Sequence, residues 1–393
     1  MVKDNQSEDK QTFSVSDQEK LNRQLRDLLQ KVAQVRRQAI EIAISDSMLD
    51  WVVNNKVNML FSSLALSKLF CVGLHQDGKK LSIDESSFTR CGVLAQNDPY
   101  DLFVATRQKV WKCHNAVSRN RSLNGFERFY VPQQAWVTGA VRLQDLAVSS
   151  RGQIYFVNPL FSCVSTVSST HSFVPVWKPA FVSELVSESR CFLSGIALED
   201  DAPKYVTSYS SSDEKQGWKK HKSQGVLLDV VTNEVIASGL NAPRCPRVHD
   251  NKLWLLESAS GYLGFVDTRV GRFERMAFVP GFATGLAFIG RYAVVSASTS
   301  APTLGLTDSN EMLKSCQQKN LSPSCGIFVI DTLSGETVAQ VVFKSIVTDI
   351  TSLVILNNVK HTAIVGPDSE DMNRIITIAT PKRRLAPSTT SRH

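Results

Sequence analysis

The sequence lacks any run of about 18 apolar residues, which is the length that a membrane-spanning helix needs. Its first residues, MVKDNQSEDKQTF, are polar and lack the apolar region of a secretory signal. The eight cysteines are dispersed and form no C-x-x-C pair, so neither a zinc knuckle nor a redox dithiol is indicated. These absences predict a cytoplasmic protein with reduced thiols and no membrane span.

Several motifs that mark enzymes are absent as well. The chain contains no G-x-S-x-G, no P-loop and no G-x-G-x-x-G. Its seven histidines share no ligand spacing such as H-x-H or H-E-x-x-H, so no metal site and no cofactor are predicted. The sequence therefore favours a binding protein over an enzyme.

A phrase of two apolar runs around a short turn recurs in the second half of the chain. Each copy places an aspartate between the first run and the turn: Asp229, Asp267 and Asp331. An aspartate side chain bonds to backbone amides two residues further on, and Gly271 and Gly335 supply a positive φ. Each copy therefore predicts a β-hairpin.

A second phrase consists of a strand, a tight turn and a strand, usually with an aromatic residue near the start of the second strand. Its copies are residues 57–73, 91–106, 143–158, 193–208, 245–258, 284–298 and 352–366. Four strands about every 40–50 residues is the period of a propeller blade, and stacked blades bury one another's faces. The copies predict an all-β, seven-bladed β-propeller over residues 56–380, with six blades as the alternative count. A pair of β-sandwiches is the competing fold.

The N-terminal region differs from the repeat, and residues 14–55 are predicted to be helical. Ser16 and Glu19 form a capping box, and apolar residues follow at helical spacing. The face expected to bind a partner protein comprises Leu21, Leu25, Leu28, Val32 and Val35. The alternative is a helix that packs on the flank or base of the propeller. A second short helix, DSMLDWVVNN, is expected to lead into the first blade.

Positive charge is concentrated in the predicted helix and at the C-terminal end. Lys and Arg number 44 against 37 Asp and Glu, and part of this excess lies in TPKRRLAPSTTSRH. Residues 1–13 and the basic residues 381–393 are predicted to be disordered. Nucleic-acid binding through the helix and tail is a third, less favoured hypothesis.

Polar residues at the starts of the innermost strands are the candidate site, because these starts converge on the axis of a propeller. They are Arg90, Gln144, Asp145, Ser194, Arg244, Arg247, Thr284 and Thr351. Three arginines and one carboxylate around a narrow channel favour an anionic ligand. The alternative is that Asp145 and the arginines pair with one another and with loop carbonyls, which closes the channel.

Long stretches of the sequence resemble an uncharacterised family of bacterial conserved hypothetical proteins, which carry a domain of unknown function and are predicted to be β-propellers. The stretches are residues 156–198, 217–261 and 280–298, with SKLFCVGLHQDGKKLS and DLFVATRQKVWKCHN in the opening blades. The resemblance spans roughly residues 45–370. It implies the propeller fold and does not imply a particular activity.

The chain departs from this family's pattern at four polar positions. The family tends to have His-Asp at Gln144-Asp145, Pro-His-Ser-Pro-Arg where residues 243–247 read PRCPR, Arg at Thr284 and Asn at Ser194. The resemblance therefore implies a polar centre that is only partly retained. If the family's centre binds a metal or does chemistry through those histidines, this member has lost the activity or changed its ligand.

We therefore expect a non-catalytic binding or scaffolding propeller, a degenerate member of its family that recognises a protein partner or a small anionic ligand. The alternative is an enzyme, or the partner of an enzyme, that acts on a small anionic metabolite or a peptide in the central pocket.

Overall fold

A computed structural model describes residues 40–117, 121–123, 125–221, 223–300 and 311–378. The predicted partner-binding face of the N-terminal helix lies outside these described residues, as do the termini that were predicted to be disordered, 1–13 and 381–393. That face comprises Leu21, Leu25, Leu28, Val32 and Val35.

The described chain begins with a strand and a helix and then builds one sheet after another. The first elements are β1 (Ile42–Ile44) and α1 (Asp46–Asn55). Blade 1 takes β2 (Val57–Ser63), β3 (Lys68–Leu74) and β4 (Leu81–Ser87). Blade 2 takes β5 (Cys91–Gln96), β6 (Asp101–Thr106), β7 (Lys109–Asn115) and β8 (Arg128–Val137). Blade 3 takes β9 (Leu146–Val148), β10 (Ile154–Asn158), β11 (Cys163–Thr166) and β12 (Val174–Trp177).

The second half of the chain continues in the same way. Blade 4 comprises β13 (Leu193–Glu199), β14 (Ala202–Ser208), β15 (Gly225–Asp229) and β16 (Val235–Leu240). Blade 5 comprises β17 (Pro243–His249), β18 (Lys252–Glu257), β19 (Tyr262–Asp267) and β20 (Arg272–Phe278). Blade 6 comprises β21 (Phe282–Ile289), β22 (Tyr292–Ser298), β23 (Cys325–Asp331) and β24 (Thr337–Phe343), with α2 (Glu311–Gln318) before β23. The last strands are β25 (Ser352–Asn357) and β26 (Thr362–Ile364). Two 3-10 turns, Gly217–Lys219 and Glu370–Asn373, complete the list.

The ring closes through a strand from the C-terminal end of the chain. β25 pairs antiparallel with β2, from Val57 opposite Asn357 to Ser62 opposite Ser352, and is the innermost strand of blade 1. Each innermost strand then contacts the next around the full circle. Added strands cover two outer edges, because β1 pairs with β24 and β26 pairs in parallel with β8. Closure and these covers leave fewer free sheet edges.

Within the described residues the propeller has six blades, so the predicted count of seven is wrong and the alternative count is confirmed. The repeat copies at residues 57–73 and 352–366 do not form separate blades. β25 supplies the innermost strand of the blade that contains β2 and β3, while β26 joins blade 2. The first copy therefore lies wholly in blade 1, and the second is divided between blades 1 and 2.

The aspartate-marked hairpins form as predicted. The Oδ1 atoms of Asp229, Asp267 and Asp331 accept backbone N–H groups two residues further on, at 2.8, 2.9 and 2.9 Å. Gly271 and Gly335 have φ values of 68° and 77°. These short turns set the register of the third and fourth strands of blades 4, 5 and 6.

Helix α1 forms where it was predicted and packs between blades 6 and 1. Residues 42–44 were also predicted to be helical, and this prediction is wrong, because they form strand β1 by pairing with β24. Met48, Trp51 and Val52 join the apolar cluster of β2, β3, β23 and β24, and the Trp51 ring meets Tyr292 edge-on at 6.0 Å. Neither of the two helices in the described ranges has the length and apolar character that crossing a bilayer requires.

Antiparallel order places alternate turns on opposite sides of the ring. We call the side at which the innermost strands begin the lower side. The connections that follow the second strands β14 and β22 begin on the lower side, because these strands run from the upper to the lower side.

Candidate ligand site on the propeller axis

A cavity of about 760 Å³ runs along the axis of the ring. All six innermost strands line it, chiefly through their middle and C-terminal residues: 94–96, 146–148, 196–198, 247–249, 286–288 and 353–355. Turn residues on the upper side, including Asp98 and Asn358, also line it. A cavity of this volume is large enough for a small molecule.

The ion pair of Asp145 and Arg247 lies where the cavity meets the lower half of the ring. Arg247 Nη1 and Nη2 donate to the two carboxylate oxygens of Asp145 at 3.0 and 3.1 Å. The same Asp145 carboxylate accepts the N–H of Ile196 at 3.0 Å, and Arg247 donates to the Ile196 carbonyl at 3.1 Å. Because these residues belong to blades 3, 4 and 5, the pair bridges three blades.

The two members of this pair differ in exposure. The side chain of Asp145 is 4% exposed, whereas that of Arg247 is 31% exposed and lines the cavity. Burial on its own lowers the pKa of Arg247, but the charge of Asp145 and its hydrogen bonds raise the pKa above its usual value overall. Arg247 is therefore a permanent cation at the cavity wall.

Arg244 is a buried cation without a carboxylate partner among the described residues. Only 2% of it is exposed, and its bonds are long ones to uncharged groups: Nη1 to the Tyr209 hydroxyl at 3.3 Å and Nη2 to the Gln144 carbonyl at 3.5 Å. Its Nε has no partner in the described part of the chain. Burial lowers the pKa of Arg244, yet nearby groups, Tyr209 foremost and Asp145 among them, raise the pKa overall.

The charges of this centre do not balance. Arg244 and Arg247 contribute two positive charges and Asp145 one negative charge, which leaves one positive charge in excess. Isolated buried charges are costly, and buried donors without acceptors add to that cost. An anion held near Arg244 and Arg247 would balance the excess charge and accept hydrogen bonds from the buried donors.

Three more of the predicted residues form polar links within or between blades; Ser194 and Thr284 are buried, and Thr351 is half-buried. Ser194 Oγ donates to the Pro243 carbonyl at 2.6 Å, from blade 4 to blade 5. Thr351 Oγ1 donates to the Gly92 carbonyl at 2.8 Å, from blade 1 to blade 2. Thr284 Oγ1 instead lies 3.1 Å from Ser296 Oγ within blade 6. These side chains are structural in this arrangement.

Two predicted residues do not present their side chains to the cavity. Arg90 is exposed and lines a different cleft, because the chain takes a left-handed conformation there (φ 54°) before β5 begins. Gln144 contributes its carbonyl to Arg244, while its side-chain amide donates to the Arg142 carbonyl at 3.0 Å. Of the eight predicted residues, only Arg247 lines the axial cavity.

Some residues that line the cavity were not predicted. Arg128 begins the outer strand β8, yet it donates to the carbonyl of Asn357 in β25. His249 stacks on Phe288 with ring centroids 4.2 Å apart, and its Nε2 lies 2.8 Å from the Gly290 carbonyl. His249 could have been inferred from its place at the end of an innermost strand. Arg128 could not, because its position depends on the pairing of distant strands.

The four departures from the family pattern meet at the start of β17. Gln144 contacts Arg244 through its carbonyl, and Ser194 bonds to the Pro243 carbonyl. Cys245 Sγ lies 3.3 Å from the Thr284 carbonyl. The departures thus alter one contiguous centre.

The cysteines provide no reactive thiolate near this centre. All eight are free and buried. Burial raises the pKa of Cys245, the cysteine of this centre, above its usual value. Burial also raises the pKa of Cys163 and of Cys191 to about 11. Within the described ranges, no group of three or more His, Cys, Asp or Glu side chains is placed to hold a metal ion.

The fold and this centre define a six-bladed β-propeller with an axial pocket. The family model described as "Domain of unknown function (DUF4915)" matches residues 46–365, which is more than half of the chain. The protein therefore belongs to the DUF4915 family, in agreement with the resemblance seen in the sequence. Among curated proteins, none matches the sequence.

Solved structures are similar to this chain at low sequence identity. A chain from the crystal structure of a nidogen/laminin complex is 8% identical, with a TM-score of 0.50, over 77% of this chain and 99% of that chain. A protein of unknown function from Bacteroides caccae is 9% identical, with a TM-score of 0.47, over 76% and 98% of the two chains. Virginiamycin B lyase from Staphylococcus aureus is 10% identical, with a TM-score of 0.36, over 62% and 77%. At 8% identity the likeness to the nidogen/laminin chain concerns the fold alone.

Proposed function

We propose that this protein is a non-catalytic binding propeller that takes a small anionic ligand at the base of its axial cavity. The observation that carries this proposal is the buried guanidinium of Arg244, which lies beside the Asp145–Arg247 pair and has no carboxylate partner among the described residues.

In this proposal the two arginines have different roles. Arg247 is partly exposed to the cavity and can meet an anion directly, although Asp145 already neutralises it. Arg244 lies behind this pair, and its charge makes the potential at this end of the cavity positive. In a site of low dielectric that potential acts strongly on an anion. Specificity would then come from the backbone edges and apolar side chains of the six innermost strands.

The enzyme alternative receives less support from the groups that line the cavity. His249 is stacked on Phe288 and engaged with the Gly290 carbonyl. One oxygen of Asp98 accepts the N–H groups of Tyr100 and Asp101, at 2.7 and 2.9 Å. Two candidate general acids or bases are thus engaged in local structure, which favours binding over turnover.

Binding of a protein partner through Leu21, Leu25, Leu28, Val32 and Val35 is a second part of this proposal. The described chain begins at the outer edge of blade 6, where β1 pairs with β24. Deletion of residues 14–39 should remove the partner and leave the cooperative unfolding of the propeller intact.

The proposal places the protein in the cytoplasm. Eight buried free thiols suit a reducing compartment, in which disulfides do not form.

Calorimetric titration with succinate, a small dicarboxylate, tests the axial site. Wild-type protein should bind succinate in low-salt buffer, and Arg244→Met should weaken binding at least about tenfold, because methionine fills the buried space without the charge. Arg269→Gln, in the exposed turn after β19, is the matched control and should bind as wild type does. Equal succinate affinity in a folded Arg244→Met variant would remove the basis of the proposal.

A further inference from the structure

A second cleft lies on the lower side of the ring, near the border of blades 1 and 2 and away from the axis. Its volume is about 410 Å³. Three segments form its walls: Thr89 and Arg90 before β5, residues 106–109 at the turn between β6 and β7, and Pro367 with Asp368 after β26. Trp111 of β7 also lines it. The cleft therefore unites chain segments that are about 260 residues apart.

Positive charge dominates this cleft. Arg90, Arg107 and Lys109 line it, and no carboxylate of the described residues lies within 4.0 Å of their side-chain nitrogens. The carboxylate in the cleft, that of Asp368, accepts the hydroxyl of Thr89 at 2.9 Å. Three positive charges less one negative charge leave two in excess. Unpaired cations gathered in one cleft repel one another, and a dianion would relieve that repulsion.

Apolar surface accompanies the charge. The Lys109 ammonium lies 5.3 Å from the centre of the Trp111 ring, which is half-buried, and Pro367 faces the same cleft. Guanidinium groups pair bidentately with the oxygens of phosphate. The cleft also has the volume of a small-molecule site, so a ligand there can carry an organic group beside its charged one.

We propose that this cleft binds a small organic phosphate. The phosphomonoester dianion is held by Arg90, Arg107 and Lys109, and the organic part packs on Trp111 and Pro367. This site does not depend on the axial site, because none of its residues lines the axial cavity.

Titration of the full chain with phenyl phosphate and with inorganic phosphate at pH 8 tests the proposal, since a phosphomonoester is dianionic there. Phenyl phosphate should bind about tenfold more tightly than inorganic phosphate, because its ring buries apolar area against Trp111. Arg107→Gln should weaken the binding of both probes at least about tenfold. Trp111→Leu should remove only the preference for phenyl phosphate.

Three controls make the outcome decisive. Arg269→Gln, an exposed arginine in another β-turn, should change nothing, and Arg244→Met should bind phenyl phosphate as wild type does. Benzoate, which has the ring but a single negative charge, should bind at least about tenfold more weakly than phenyl phosphate. The proposal is overturned if phenyl phosphate does not bind, if Arg107→Gln leaves its affinity unchanged, if benzoate matches it, or if Arg244→Met abolishes its binding.

Discussion

Replacing Asp145 with asparagine should destabilise the propeller, because Asp145 is the negative member of the centre that joins three blades. The asparagine side chain of Asp145→Asn could keep the bond from the Ile196 N–H but would lose the charge and the paired bonds from Arg247, which now measure 3.0 and 3.1 Å. Arg247 would then be uncompensated as well as Arg244. Removing one partner of a buried ion pair costs about 3–5 kcal/mol.

The lower end of that range applies, since 31% of the Arg247 side chain is exposed and water can solvate part of its charge. We expect a loss of about 3 kcal/mol. With an unfolding entropy of about 2.1 cal/mol/K per residue over roughly 320 residues, this loss lowers Tm by about 4–5 °C.

Urea unfolding followed by tryptophan fluorescence measures this loss, and a double-mutant cycle identifies its source. Arg247→Gln removes the partner, so Asp145→Asn in that background should cost at least about 1.5 kcal/mol less than in wild type. Asp250→Asn, in an exposed turn, is the matched control and should be nearly neutral. A cost below about 1 kcal/mol for Asp145→Asn, or simple additivity with Arg247→Gln, would refute this account of the centre.

Three further predictions concern the ring and its thiols. Gly195→Ala should lower the free energy of unfolding in urea by about 1–3 kcal/mol, because an added Cβ would lie 2.4 Å from Pro246 Cδ. Gly92→Ala is the control and should be nearly neutral, because the nearest atom to its added Cβ is 3.9 Å away. Removal of residues 352–378, which deletes β25 and β26, should abolish cooperative unfolding in calorimetry, and a sharp transition in this truncated chain would contradict closure by β25. At pH 8, Cys163 and Cys191 should resist iodoacetamide in the folded protein and react only after unfolding. The pKa of these two thiols in the folded protein, about 11, exceeds the usual 9.0. Their contribution to stability is therefore complete below pH 9 and is lost as the pH rises through about 11. Urea midpoints that do not change from pH 8.5 to 10.5 would contradict this prediction.

The local elements of the fold could be predicted because their signals lie within a few residues of one another. The bonds of Asp229, Asp267 and Asp331 to nearby amides need no tertiary information. The number of blades could not be obtained in this way. It depends on β25 pairing with β2, about 295 residues earlier, and each of these strands belongs to a separate copy of the repeat.

The candidate site was predicted only in part, because its residues come from distant parts of the chain. Asp145 and Arg247 were both placed at the starts of innermost strands, and the structure brings them into contact. The pairing of Arg247 with Asp145 and with carbonyls supports the hypothesis of a channel closed by internal pairs. The lack of a carboxylate partner for Arg244 in the described chain supports the hypothesis of an anionic ligand. Arg90 was expected on the axis, but its left-handed backbone and the segment at Asp368 place it in another cleft.

The central claim is that the positive charge of Arg244, which no carboxylate of the described residues balances, attracts an anion to the axis. Anomalous diffraction from crystals soaked in bromide tests this claim most directly, because bromide is a small anion whose position can be measured. We predict an anomalous peak on the axis within hydrogen-bonding distance of the Arg244 or Arg247 guanidinium. A closed six-bladed ring with no bromide at that position, or with a carboxylate of the chain paired to Arg244, would contradict the claim.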